Sequence, residues 1–181
     1  MEVSELYEVL KDRYDAFVCI AGVPKSGKST YIMEIVEKLA KNDEKKIMFF
    51  SPAKEAVFIE RWFEGVFEGS CQSKIIINDT PAIDVESIIE LSKKEKPDVI
   101  VIDYFELITD KVCCEKTRVD ELNSIANKLN TLSKEFEIPI LLEVQMSTYY
   151  KKGHDKLSIK DLRCAGEIGE ISDLIIFTNK D

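Results

Sequence analysis

Two kinds of hydrophobic pattern take turns along the chain. Runs that are apolar at nearly every position predict buried strands at residues 16–21, 46–50, 74–77, 99–103, 138–144 and 174–177. Stretches with apolar residues three and four positions apart predict helices at residues 4–14, 31–41, 53–67, 84–94 and 117–135. Strands of this type, separated by helices, are typical of a parallel sheet covered on both faces. We therefore predict an α/β fold with a mostly parallel sheet, in a single domain over residues 1–181.

Composition and charge narrow the classes of function. The chain has 181 residues, 45% of them hydrophobic, which suits one globular core. Its net charge of −9 removes any general attraction to nucleic acid, so such contact would need a local basic patch. No apolar run approaches the ~18–20 residues of a membrane span, and the acidic start is unlike a signal peptide. We expect a cytoplasmic protein with no membrane partner, whose five cysteines are free thiols.

The loop after the first predicted strand carries the strongest chemical signal. Residues 22–30 read G-V-P-K-S-G-K-S-T and match the P-loop pattern G-x-x-x-x-G-K-[ST], between a strand and a helix. Its glycines let backbone N–H groups point at phosphate oxygens, and the helix N-terminus favours negative charge. We predict an ATP site in which Lys28 reaches the β- and γ-phosphates and the Ser29 hydroxyl holds Mg²⁺. The predicted nucleotide-binding residues are Gly22, Val23, Pro24, Lys25, Ser26, Gly27, Lys28, Ser29 and Thr30.

Two strand ends supply further candidates. P-D-V-I-V-I-D at residues 97–103 is an apolar strand ending in Asp103, at the edge where parallel α/β sheets bind ligands. Beside a P-loop it is a candidate Walker B aspartate, which orients Mg²⁺; an ordinary strand-end aspartate is the alternative. Gln145 closes the strand 138–144 in the same way. Its amide can contact the γ-phosphate, so we predict a catalytic role for Gln145 with Lys28, and an exposed glutamine is the alternative.

Several further stretches, in the same order along the chain, resemble the C-terminal ATPase domain of DnaB-type replicative helicases, a branch of the RecA-like ATPases. They are I-M-F-F-S (47–51), I-I-I-N-D-T-P (75–81), V-I-V-I-D-Y-F-E-L-I (99–108), L-N-T-L-S-K-E-F-E-I-P-I (129–140), V-Q-M-S (144–147) and L-S-I-K-D-L-R (157–163). The resemblance implies a RecA-like P-loop NTPase core, ATP at an edge facing a neighbouring subunit, and a homo-oligomeric ring or filament. In the family the counterpart of Gln145 senses the nucleotide, and the loop after it faces single-stranded DNA.

The chain departs from the family where water is activated. Ala53 stands where the family carries its catalytic glutamate, and a methyl group cannot orient or deprotonate water. Glu55 and Glu106 are the two candidates to replace it. The arginine that the family carries after Gln145 is missing, E-I-G-E-I-S-D (167–173) replaces an acidic block, and the chain stops before the family's basic residues that reach the neighbour's ATP site. We therefore expect ATP binding to be better preserved than hydrolysis.

One local run combines basic and aromatic residues: Tyr149, Tyr150, Lys151, Lys152 and Lys156. Tyrosines stack on unpaired bases and lysines neutralise phosphates, which is how sequence-tolerant single-strand binding works. Because the loop also lies where the family binds DNA, we predict contact with single-stranded DNA when several subunits pool their loops. A solvated loop is the alternative.

Two functions of different classes follow from these features. The first is a DNA-linked ATPase, which could be weak, serving replication or a mobile element. The second is a non-hydrolysing, nucleotide-dependent adaptor or regulator that binds a helicase or another partner. Ala53 favours the adaptor, whereas the P-loop, Asp103 and Gln145 favour retained nucleotide chemistry. A signalling ATPase of the same superfamily is a third alternative.

Overall fold

A computed structural model describes residues 1–42, 45–64, 74–113, 117–146, 159, 162 and 165–178. The elements follow in the order α1 (Val3–Asp12), β1 (Phe17–Gly22), α2 (Lys28–Asn42), β2 (Ile47–Phe50), α3 (Ala56–Glu64), β3 (Ile75–Asn78), α4 (Val85–Glu95), β4 (Val99–Ile102), α5 (Arg118–Phe136), β5 (Ile140–Gln145), α6 (Ala165–Ile171) and β6 (Leu174–Thr178). Short 3₁₀ helices at Phe105–Leu107 and Lys111–Cys113 follow β4. Each predicted strand and helix is present, with ends shifted by a few residues.

The six strands form one sheet in the order β3-β2-β4-β5-β1-β6, and every strand pair is parallel. The predicted α/β class with a parallel sheet is therefore confirmed. The order places β5 between β4 and β1. As a result, the carboxyl ends of three adjacent strands bring the P-loop, Asp103 and Gln145 to the same edge of the sheet.

Both faces of the sheet are buried, which explains why its strands are apolar throughout rather than alternating. In β1, Phe17, Cys19 and Ala21 pack in the cluster that includes buried residues of α4, α5 and α6. Val18 and Ile20 pack in the second cluster, with buried residues of α1, α2 and α3. β1 thus lies between two layers of helices and ends at the P-loop.

Helix α6 was not predicted from the sequence. It has only seven residues, and of these Ile168 is buried and Ile171 packs against the same core from a partly buried position. Two turns offer too few apolar positions to show a 3.6-residue period, and the two glycines of the segment lower its helix propensity by about 1 kcal/mol each relative to alanine.

Two smaller sequence expectations concern membranes and thiols. Among the described residues no helix is both long and apolar enough to cross a bilayer. Cys19 is a free, buried thiol, and burial raises its pKa to about 12. The structure does not describe the side chains of the other four cysteines.

Candidate functional site

The P-loop connects β1 to α2, and its two glycines are required by geometry. A Cβ on Gly22 would lie 2.3 Å from Thr178 Oγ1 and 2.4 Å from Ser26 Oγ, so only glycine fits where β1 passes β6. Gly27 has φ +90°, a left-handed backbone that glycine adopts without strain. The chain can therefore turn back sharply enough for α2 to begin at Lys28.

A cavity of about 520 Å³ opens above this loop at the carboxyl edge of the sheet. Residues 24–30 of the P-loop form one wall. Asp103, Gln145 and Ala53 line the rest, together with Lys54, Tyr104 and Glu143. The structure therefore brings together most of the predicted nucleotide-binding residues and both predicted strand-end residues.

Lys28 is 5% exposed and belongs to this cavity. Its Nζ donates to the backbone oxygens of Gly22, at 3.0 Å, and Val23, at 3.1 Å. It also lies 3.7 Å from Glu143 Oε1, as a buried ion pair. The ammonium is thus held at the centre of the loop, where a phosphate would meet backbone N–H groups and this charge together.

Ser29 and Asp103, the two residues predicted to hold Mg²⁺, are both bonded to the ammonium of Lys54. Lys54 Nζ donates to Ser29 Oγ at 2.9 Å and pairs with Asp103 Oδ2 at 2.5 Å. The Ser29 hydroxyl in turn donates to Glu143 Oε2 at 2.8 Å. Ser29 and Asp103 therefore share one small polar cluster, as the sequence predicted, but with two charged neighbours that it did not predict.

Glu143, like Lys54, lines the cavity although no sequence motif singles it out. It is 6% exposed and lies inside β5, whose nearly continuous apolar pattern predicts only a buried strand. Burial raises the pKa of its carboxyl to about 7, and the charge of Asp103 and a hydrogen bond shared with Asp103 act in the same direction. The Ser29 hydroxyl and the Lys28 ammonium oppose that rise. The sequence does contain one sign of this residue: Glu143 is the single charged residue in the strand I-L-L-E-V-Q, two positions before Gln145.

This raised pKa predicts how stability depends on pH. The folded protein keeps the Glu143 proton up to about pH 7, whereas the unfolded chain loses it near the ordinary pKa of 4.5. The folded state binds more protons between these values, so its free energy of unfolding falls as pH rises through them. We expect that fall, between about pH 5 and pH 8 in EDTA, to shrink by roughly 1–2 kcal/mol in Glu143→Gln.

Urea unfolding of both proteins across this pH range measures the effect. Glu121→Gln is the matched control: burial acts to raise the pKa of Glu121, but hydrogen bonds from Arg118 and the Asp110 backbone outweigh it, so that the pKa is lowered. Its stabilising contribution is fully present above the ordinary pKa of 4.5 and is lost only below it, so Glu121→Gln should lower stability by a constant amount between pH 5 and pH 8 and leave the pH slope of the parent protein unchanged. Identical pH slopes in Glu143→Gln and the parent protein would contradict the assignment.

The chemistry of the cluster fits Mg²⁺. Ser29 and Asp103 offer hydroxyl and carboxylate oxygens, the ligands this ion prefers. With Glu143 ionised, Asp103 Oδ1 is buried and accepts no hydrogen bond from the described residues. The described residues contain no cluster of three or more His, Cys, Asp or Glu side chains that could hold a metal. Ser29 and Asp103 would therefore hold the ion together with phosphate oxygens, the usual arrangement at phosphoryl-transfer sites.

Neither glutamate considered as a substitute at position 53 lines the cavity. Glu106 Oε1 accepts a hydrogen bond from the backbone N–H of Gln145 at 2.7 Å, which ties that carboxylate to the end of β5. Glu55 is exposed ahead of α3. Ala53 does line the cavity, and it brings no carboxylate to it. Among the described residues, Glu143 and Asp103 are the lining carboxylates.

The remaining predicted residues divide into two groups. Gln145 lies at the end of β5, opposite Gly22, and lines the cavity as expected. Tyr149, Tyr150, Lys151, Lys152 and Lys156 lie outside the described residues, so their contact with DNA stays a prediction.

A second cavity, of about 610 Å³, lies between α4 and α5. It is larger than the P-loop cavity, but its lining includes Glu86, Asn127 and Phe136 and none of the residues predicted to bind nucleotide. Cavity size alone therefore does not identify the candidate site. The smaller cavity is the candidate because the P-loop, two carboxylates and the lysines converge on it.

Comparison with known proteins relates the chain to DnaB-like helicases. A family described as the DnaB-like helicase C terminal domain matches residues 63–181. Replicative DNA helicase DnaB of Geobacillus stearothermophilus is 25% identical over 194 aligned residues, covering 91% of this chain and 43% of the relative. A probable plasmid replicative DNA helicase of Chlamydia psittaci is 27% identical, covering 91% of this chain and 42% of the relative. The chain thus spans less than half the length of these relatives.

Solved structures match the fold. One structure described as an ATPase domain superposes with a TM-score of 0.77 at 19% identity, covering 91% of this chain and 69% of that one. A DnaB-like replicative helicase studied with primase gives 0.79 at 18% identity, covering 91% and 47%. A KaiC-like protein of Pyrococcus horikoshii gives 0.65 at 19% identity, covering 90% and 70%. The RecA-like fold is therefore confirmed.

Proposed function

Because the chain belongs to the DnaB-like helicase C-terminal domain family, we propose that it binds ATP with Mg²⁺ at the P-loop and serves DNA replication, or a mobile element, as a DNA-linked ATPase. One observation carries the proposal. Lys28, Ser29, Asp103 and Gln145, taken from three separate segments, converge on one cavity of about 520 Å³. The relatives named as replicative DNA helicases support the link to DNA.

Each residue has a separate part in this proposal. Backbone N–H groups of the P-loop and the Lys28 ammonium bind the β- and γ-phosphates. Ser29 and Asp103 hold Mg²⁺, which when bound neutralises charge that develops on the phosphates. Gln145 would contact the γ-phosphate and signal its loss to the residues that follow β5.

Hydrolysis is proposed to be slow. Ala53 offers no base, and the one additional carboxylate that the described residues bring to the cavity, Glu143, is already bonded to Ser29 and paired with Lys28. A water molecule would therefore lack the fixed carboxylate that orients it in related ATPases. This observation also favours the second candidate, a nucleotide-dependent adaptor that binds a helicase or another partner without turnover.

Assembly with a neighbour, as a homo-oligomer or with a helicase-type partner, is also proposed. Phe58 is 59% exposed and Trp62 40% exposed on α3, and both line a small cavity that also includes Ser29, Lys54 and Asp103. Exposed aromatic residues grouped beside a ligand site are typical of an interaction surface. A subunit packed there would close the ATP site. The cytoplasmic location stays part of this proposal.

One pair of measurements separates the two functions. ATP turnover is measured with and without a single-stranded oligonucleotide, and mass in solution is measured with a non-hydrolysable ATP analogue. Turnover stimulated by DNA and abolished in Lys28→Ala supports the ATPase and excludes the adaptor. Analogue binding without turnover and without self-assembly excludes the motor and supports the adaptor.

A further inference from the structure

Lys54 places a positive charge between the two groups that would hold Mg²⁺. The backbone explains its position: β2 and β4 are paired with Phe50 opposite Ile102, and the N–H of Asp103 donates to the oxygen of Phe50 at 2.9 Å. The chain therefore leaves β2 beside the point where it leaves β4. Lys54, in the turn after β2, reaches Asp103 and Ser29 from there.

The charges of the cavity need this lysine. Asp103 and Glu143 are both buried carboxylates, with side chains 3% and 8% exposed. Among the described residues that line the cavity, Lys28 pairs with Glu143 at 3.7 Å and Lys54 pairs with Asp103 at 2.5 Å. Lys25, the third lysine in the described part of the lining, forms no ion pair with either carboxylate. Because an unpaired buried carboxylate is strongly unfavourable, Lys54 already neutralises Asp103 as a metal ion would.

The ammonium also has capacity left for a ligand. It carries three N–H donors, and the described contacts engage two of them, with Ser29 Oγ and Asp103 Oδ2. The side chain is 41% exposed, so the protein does not enclose it. The third donor can therefore serve a phosphate oxygen bound over the P-loop.

We propose that Lys54 is a resident cation of this site, which lets the chain bind a nucleoside triphosphate without Mg²⁺. Lys54 holds the position between Ser29 and Asp103 and donates to a terminal phosphate oxygen, and Mg²⁺ competes with it for Asp103. The inference rests on the proposed binding of ATP at the P-loop. It deepens that proposal by assigning metal-independent binding to a residue on the turn that also carries Ala53.

A fluorescent ATP analogue is titrated into the full chain in EDTA and again in Mg²⁺. We expect the parent protein to bind in EDTA within about tenfold of its affinity in Mg²⁺. Lys54→Met keeps the stem but removes the charge, so it should lose about tenfold or more in EDTA and recover in Mg²⁺, the change expected for one charged hydrogen bond. Lys54→Arg keeps the charge and should retain binding in EDTA.

Lys46→Met is the matched control. Lys46 precedes β2 as Lys54 follows it, its side chain is 38% exposed, and it pairs with Glu95 at 3.2 Å, at the opposite end of the strand from the cavity. The control should bind the analogue as the parent does under both conditions. Thermal unfolding of all variants confirms that they are folded.

A second readout needs no nucleotide. Binding of Mn²⁺ alone, followed by electron paramagnetic resonance, should be about tenfold tighter in Lys54→Met than in the parent, because the lysine no longer competes for Asp103. Equal Mn²⁺ affinities of Lys54→Met and the parent protein would overturn the role of Lys54 but not the proposed function. The same holds if the parent protein binds the analogue only in Mg²⁺. No analogue binding even in Mg²⁺ would overturn the proposed function itself, and the role of Lys54 with it.

Discussion

Replacing Lys28 with alanine is expected to weaken ATP binding about 100-fold. The ammonium is buried at the centre of the P-loop, where it donates to two backbone oxygens and pairs with Glu143. In the complex it would donate to phosphate oxygens, and hydrogen bonds of this charged kind contribute ~1.5–3 kcal/mol each, so the loss of about 3 kcal/mol corresponds to that factor. Titration of a fluorescent ATP analogue in Mg²⁺ measures it.

Lys41→Ala is the control for this experiment. Lys41 lies near the far end of the same helix, α2, where it forms an exposed ion pair with Glu37 at 2.9 Å. Such surface pairs contribute ~0–1 kcal/mol, so the variant should bind the analogue as the parent does. Lys28→Ala should remain folded, since Glu143 can take up a proton once its ammonium partner is gone. An unchanged affinity in Lys28→Ala would place the nucleotide somewhere other than the P-loop.

The parts of the fold that sequence could predict are those with a strong local signal. Each strand is buried on both faces, so runs such as V-I-V-I at residues 99–102 are uninterrupted and easily recognised. The order of the strands is a different matter. Which strand lies between β1 and β4 depends on contacts between segments distant in sequence, and no periodicity carries that information.

The site was predictable in the same uneven way. Gly22, Lys28 and Ser29 follow from one contiguous pattern, and Asp103 follows from its place at a strand end. Lys54 and Glu143 belong to no motif. They matter because the sheet brings a turn after β2 and an interior residue of β5 against the P-loop, and such long-range contacts leave no local trace in the sequence. The prediction from Ala53 concerned a missing base, whereas the structure adds an extra cation next to it.

These two residues also change the meaning of the substitution at position 53. On the proposed function, a site that differed from the expected one only by Ala53 would keep a free metal position and would have a lowered rate of hydrolysis. Here the Lys54 ammonium lies between Ser29 and Asp103, the two residues proposed to hold Mg²⁺, and Glu143 accepts a hydrogen bond from the Ser29 hydroxyl. On our proposal Lys54 lowers the demand for Mg²⁺ in binding, and neither residue supplies a base for water. The local chemistry is therefore weighted towards holding a nucleotide.

The second large effect is expected for Gly22→Ala, which should lower the free energy of unfolding by about 3 kcal/mol, the upper end of the range for overpacking a filled site. The new Cβ would lie 2.3 Å from Thr178 Oγ1, 2.4 Å from Ser26 Oγ and 2.8 Å from the backbone oxygen of Thr178. A side chain can rotate away, but the last of these atoms belongs to β6, which is paired with β1 in register at this residue. The two strands must separate where the P-loop begins.

The double variant Gly22→Ala/Thr178→Ala tests this mechanism. Removing Thr178 Oγ1 relieves the shortest contact and also ends its 2.7 Å hydrogen bond with Ser26, while the clash with the backbone oxygen remains. Urea unfolding should therefore show partial rescue, with Thr178→Ala alone as the reference for the coupling between the two sites. Additive costs would exclude the contact with Thr178 Oγ1 as the cause. The same separation would shift Val23 and Ser26 within the P-loop. Binding of the ATP analogue should therefore weaken in Gly22→Ala and recover only in part in the double variant. The fit of β6 against β1 would then determine the shape of the proposed phosphate site.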